Sequence, residues 1–183
     1  NYALDALTSG DNNVAVGHDA LTANTTASSN TAIGREAMKI TTTGDSNVAV
    51  GSQSLLDNTT GAANVAIGTS ALENNTTAAN NTAVGTFAMI ANTTGANNVA
   101  IGKSALAANT TANQNIAIGV SALAANTTGA RNIAIGHSAL DACDTETDNI
   151  AIGFEAMTTN NAGGVDNIAI GTYAMDALTS GDY

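Results

Sequence analysis

Aromatic residues are almost missing from this sequence, which has two Phe, three Tyr and no Trp among 183 residues. A chain of that length ordinarily forms one domain with a sizeable core, so an interior built from what remains must be thin. Positive charge is scarce too: four Lys and Arg face 15 acidic side chains, for a formal net charge of -11. That balance argues against nucleic acid or an anionic membrane as a partner, and the acidity reads as solubility. Apolar runs never exceed a few residues, too short for a membrane span. The opening NYALDALTSGD lacks the basic and apolar regions of a signal peptide. An initial Asn and a finish partway through a repeat are expected of a processed product or a segment of something longer. One cysteine excludes a disulfide framework.

What the chain does have is repetition. YALDALTSGD at 2–11 returns as YAMDALTSGD at 173–182, with nine of ten letters unchanged and a spacing of 171 residues. That spacing is ten periods of 17 plus one. Gly17, Gly34, Gly51, Gly68, Gly85, Gly102, Gly119, Gly136 and Gly153 advance by 17, and Gly171 follows after 18. The sequence is therefore one repeat domain over 1–183, with a one-residue insertion near 163–166. Periods of about this length mark solenoids and stacked arrays.

Each position in the unit has its own chemistry. Four residues before the glycine stands Asn in all ten copies: Asn13, Asn30, Asn47, Asn64, Asn81, Asn98, Asn115, Asn132, Asn149 and Asn167. Ala always precedes the glycine by two, and Val or Ile by one. Charged residues avoid these positions and mark where the chain meets water. A helix would find no apolar face here long enough to propagate. Strands fit better: NVAIG alternates outward and inward side chains, and the AL or AM pair after the glycine suggests a second strand. Glycine permits a positive-φ corner, and Asn can serve the other bend. The expected fold is all-β, a parallel β-solenoid or β-roll of about ten 17-residue coils, with Asn and Thr ladders running up the stack. Both faces of the VAI strand are apolar and only one can face a thin interior. The other is expected to pack on a neighbouring copy, giving a homo-oligomeric fibre.

The runs NVAIG, NIAIG and NTAVG, each followed by AL or AM two residues on, resemble the head repeats of trimeric autotransporter adhesins. They are closer still to NTTGxxNxAxGxxAL arrays of phage tail-fibre-like and bacterial surface proteins. The resemblance covers essentially the whole chain. It implies a trimer of left-handed parallel β-rolls with the Val and Ile of strands such as 14–16 near the axis, placed outside the cell, on its surface or on a virion. This chain departs from the adhesin pattern in its longer repeat with an added NTT segment.

Candidate chemistry is sparse. His18 and His137 share a coil position but lie seven coils apart, so they cannot share a metal within one chain. Asp144, Glu146 and Asp148, in DTETD, could attract a divalent cation, or simply form a solvated acidic corner. Cys143 takes the place of the Asn of NTT and reads as a semi-buried thiol, or one that could oxidise with another chain. The NTT sites at Asn24, Asn58, Asn75, Asn92, Asn109 and Asn126 match the N-glycosylation acceptor pattern. No nucleophile, base and orienting acid recur together and no phosphate loop is present, so neither an enzyme nor a cofactor is expected.

The sequence thus points to a structural repeat segment of an extracellular fibre or filament. Its partner is itself, as a trimer or a head-to-tail filament, with a surface glycan or receptor as a further partner and neither nucleic acid nor membrane insertion. Because the first and last coils match, Tyr2, Leu4 and Leu7 are expected to meet Tyr173, Met175 and Leu178 end to end. The alternative is an ice-binding solenoid presenting a Thr ladder, though NTT sends only one Thr outward per side.

Overall fold

The computed structural model describes residues 2–158 and 164–176. It contains ten three-residue strands: β1 Val14–Val16, β2 Thr31–Ile33, β3 Val48–Val50, β4 Val65–Ile67, β5 Thr82–Val84, β6 Val99–Ile101, β7 Ile116–Ile118, β8 Ile133–Ile135, β9 Ile150–Ile152 and β10 Ile168–Ile170. They form one parallel sheet in sequence order. Each pairs in register with the next, so that Ala66 faces Ala83 and Ile67 faces Val84. The chain is therefore a β-solenoid, one coil per repeat. At about 4.8 Å per parallel step, ten strands stack to roughly 43 Å.

The 18-residue step costs no register: Ile168 pairs with Ile150 as Ile150 pairs with Ile133. Asn149 Nδ2 donates to the Gly164 carbonyl, the place that Glu146 fills for Asn132. The extra residue therefore falls upstream of Gly164.

Inside, the solenoid is as thin as its composition requires. The strand alanines, such as Ala66 and Ala100, are fully buried and face an Ala-Leu or Ala-Met pair, such as Ala71-Leu72 and Ala88-Met89, also fully buried. Small residues on one wall and one large residue on the other fill each layer.

The Ala-Leu pair is not a second strand, contrary to the sequence expectation. It lies in a run of turns, and Leu72 is left-handed at φ 52, as are Leu21, Leu106 and Leu123 at 52 to 53. Ser70, two residues earlier, is also left-handed, as is Ala63 before the ladder Asn. Three non-glycine residues per coil thus adopt a conformation that costs L-residues roughly 1–2 kcal/mol each. Alternating the hand turns successive N–H groups along the stack. Glu36 N–H donates back to the His18 carbonyl (2.8 Å), while Met38 N–H and Ile40 N–H donate forward to Ser54 and Leu56 (3.0 and 3.2 Å). The turns are consequently laddered from coil to coil as the strands are, and the strain is offset only when neighbours are present.

Glycine ends each strand for two reasons. Gly102 sits at φ +136, and a Cβ there would lie 2.3 Å from the Gly119 carbonyl oxygen above. Any side chain would both force the backbone and push adjacent coils apart.

Candidate functional site: an exposed aliphatic face

The alternation of the strand puts Ala inward and its two neighbours outward. Stacking in register then aligns those neighbours into two columns. One runs Val14, Thr31, Val48, Val65, Thr82, Val99, Ile116, Ile133, Ile150 and Ile168, and the other Val16 through Ile170. All are β-branched, which suits an extended chain, and 18 of the 20 are Val or Ile, with Thr31 and Thr82 the two exceptions. Ile67 and Ile101 are 40% and 39% exposed, whereas Leu72 and Leu106 behind them are at 0%. No charged residue interrupts either column. Ten strands by three residues make a strip of about 43 by 10 Å, or roughly 430 Å² in projection. That is already the size of the largest apolar patch on a typical monomer, 300–600 Å².

Towards the C-terminal end an aromatic stripe lies next to this face across the glycine corner. His137 stacks on Phe154 with ring centroids 5.3 Å apart, and Phe154 meets Tyr173 edge-on at 5.5 Å. Phe154 and Tyr173 remain 41% and 53% exposed. The rings cover one another and form part of the surface. Among the described residues there is no pocket and no grouping of three metal-ligating side chains.

Two asparagine columns hold the scaffold behind the face. In the strand-side column, each Asn Oδ1 accepts the backbone N–H of the Asn one coil on, as in Asn81 N–H to Asn64 (3.0 Å) and Asn98 N–H to Asn81 (2.9 Å). From Asn13 to Asn149 each Nδ2 also reaches a corner carbonyl of the next coil, as Asn81 does to Gly95 (2.8 Å). One side chain thus ties the next coil at two points. Asn30 to Asn167 are fully buried in this column, with Asn13 half-buried at the first coil.

The second column consists of the NTT asparagines, which the sequence offered as glycan acceptors. They are fully buried. Asn75, Asn92, Asn109 and Asn126 each donate Nδ2 to the Oδ1 of the Asn below, at 2.9, 2.8, 2.7 and 3.3 Å. The same nitrogen also reaches a carbonyl three residues on, as in Asn92 to Gly95. A glycan on such a nitrogen is incompatible with the folded coil. The sequence signal was there, since this Asn recurs at a fixed coil position that carries no charge.

Thr hydroxyls split into two roles. The first Thr of each pair donates to the carbonyl one coil on, for example Thr76 to Thr93 (3.1 Å) and Thr93 to Thr110 (2.9 Å). The second, such as Thr77 or Thr94, is exposed.

The acidic corner does not converge on a cation. Glu146 Oε2 accepts the N–H groups of Asp144 and Thr145, both at 3.0 Å, while Asp148 is gripped by Arg131 through two bonds of 2.6 and 2.5 Å. Burial pushes the Glu146 carboxyl up, but the backbone donors and the Cys143 thiol outweigh it and hold it below its ordinary value. Cys143 is fully buried, not semi-buried, and burial beside Glu146 pushes its thiol well up, which removes it from disulfide exchange with another chain. His18 lies against its own neighbour Asp19, 3.5 Å away, and His137 against Phe154.

At the two ends, Leu4 and Met175 close the inner column half-buried, and Tyr2 and Tyr173 are exposed. Leu7 stands at the edge of exposure, and Leu178 lies outside the described residues. No described helix is long and apolar enough to cross a membrane. No family model matches the chain, and neither the curated proteins nor the solved structures compared with it give a match.

Proposed function

We propose that the chain is a structural rod segment of an extracellular fibre, built by stacking β-coils and assembled with copies of itself along the aliphatic face. One observation carries this reading: two columns of β-branched side chains, partly to well exposed and with no charged residue among them, run the length of the sheet. Burying apolar area of that size is worth many kcal/mol at about 25 cal/mol per Å², and leaving it in water invites association in any case. The Thr column offers only one file of free hydroxyls, narrower than the aliphatic face, which favours a fibre over an ice-binding surface.

The test is a solution mass by ultracentrifugation together with negative-stain imaging. The intact chain should sediment as a multiple of its 18.0 kDa and appear as rods. Changing both Ile67 and Ile101 to Asp should reduce the mass to one chain while the β circular-dichroism signal persists. A monomer before substitution would refute the assembly reading.

A further inference from the structure

We propose that the outer threonine of each corner, Thr26 through Thr145, forms a track of O-glycosylation acceptors along the rod, each hydroxyl taking a sugar from a nucleotide-activated donor. The track is separate from the aliphatic columns, and three observations meet on it. First, it persists where its neighbours do not. In the eight successive corners from Asn24 to Thr145 the buried Asn gives way twice, to Thr41 and Cys143, and the inner Thr once, to Asp144, whereas the outer Thr is present in all of them. Packing selects buried positions, but every outer Thr is exposed. Exposed positions elsewhere in the coil vary freely: the one after the glycine holds His18, Arg35, Thr69, Lys103, Val120 and Phe154.

Second, the fold makes no use of the hydroxyl. Inner Thr76 and Thr93 donate theirs to the next coil, and among the described residues the hydroxyls of outer Thr77 and Thr94 have no partner. One coil before the track the position is Ser9, which loses the methyl and keeps the hydroxyl, while its N–H still closes the corner on the Thr25 carbonyl at 3.1 Å. At the far end Thr145 N–H turns to the Glu146 carboxylate at 3.0 Å instead of to the next coil, and the residue is still Thr. Corner geometry therefore does not select it.

Third, the surroundings leave room for an attached group. Ala79, Ala96 and Ala130 follow Thr77, Thr94 and Thr128 by two, and Ala91, Ala108 and Ala125 precede Thr94, Thr111 and Thr128 by three. Despite the net charge of -11, no charged residue falls within 74–79, 91–96, 108–113 or 125–130. The NTT tripeptide thus seals its Asn nitrogen and opens its last Thr oxygen to a transferase.

The transfer is a substitution. Thr Oγ1 bonds to the anomeric carbon, the bond from that carbon to the nucleoside diphosphate breaks, the diphosphate leaves with the electron pair, and the hydroxyl proton passes to a base of the transferase. A neutral sugar suits the track better than phosphate. Acceptors repeat about every 4.8 Å, inside the Debye length of about 8 Å, so phosphates on neighbouring coils of an already acidic rod would repel one another.

Mass spectrometry of the intact chain and its fragments, on protein purified from the cells that make it, tests this. Whole-sugar increments above 18.0 kDa should map to outer threonines such as Thr77, Thr94 and Thr111, with none on Thr76 or Thr93. An unmodified mass, phosphate increments, or sugars confined to other residues would overturn the proposal. Changing Thr77, Thr94 and Thr111 together to Val should remove the sugars of those three coils and leave the Tm of unglycosylated recombinant chain unchanged, whereas Thr76→Val should lower it. A fall in the triple variant as large as in Thr76→Val would show that these hydroxyls serve the fold, and would also overturn the proposal. Sedimentation of the triple variant reads self-assembly separately, so a failure here leaves the aliphatic-face reading standing.

Discussion

Asn81 shows what a single residue does in this molecule. Its Oδ1 receives the backbone and side-chain nitrogens of Asn98, and its Nδ2 ties the Gly95 carbonyl, all without contact with water. Asn81→Ala would strand the buried Asn98 N–H, so a loss of about 3 kcal/mol is expected in urea unfolding. The same change at half-buried Asn13 should cost clearly less, because water can replace the side chain there. Backbone strain gives a prediction of the opposite sign. Ala63 is exposed and left-handed at φ 56, where equivalent positions carry Asn12, Asn80 and Asn97. Asn tolerates that conformation better, so Ala63→Asn should raise stability by about 0.5–1 kcal/mol, read as an increase in Tm.

At the scale of the element, the corners decide how the rod responds to acid. Glu146 is held below its ordinary value of 4.5 in the folded chain. A depressed carboxyl contributes its full stabilisation above the unfolded pKa and loses it as pH falls through the folded one. The corner at Cys143–Glu146 should therefore weaken first as pH drops below about 4.5. Glu146→Gln should flatten the fall in Tm over that window; an unchanged acid profile would show that the carboxylate contributes nothing there. Partly exposed Asp148 is also held low by Arg131, but solvent screens that pair and it should matter little.

For the whole molecule, the consequence of in-register stacking is modularity in steps of one coil. Removing Thr86–Gly102, one complete unit of 17 residues, should leave a shorter rod with its β spectrum intact, whereas removing only Ala91–Asn98, about half of that unit, puts the next strand out of register and should unfold the rod or split it in two. The period of 17, the thin interior, the parallel strands and the recurring strand-side Asn were all readable in the letters, because each follows from local chemistry repeated ten times. The second strand was misjudged: an Ala-Leu pair looks extended by pattern, and only neighbours above and below make three left-handed residues per coil worthwhile. The NTT asparagines looked like surface acceptors for the same reason, since nothing local says that a polar amide is buried until the coil closes around it. Sequence by itself determined what each coil contains and where it repeats. Tertiary structure decided which side of each residue faces water, because hydrogen bonds and burial here run between coils, perpendicular to the chain.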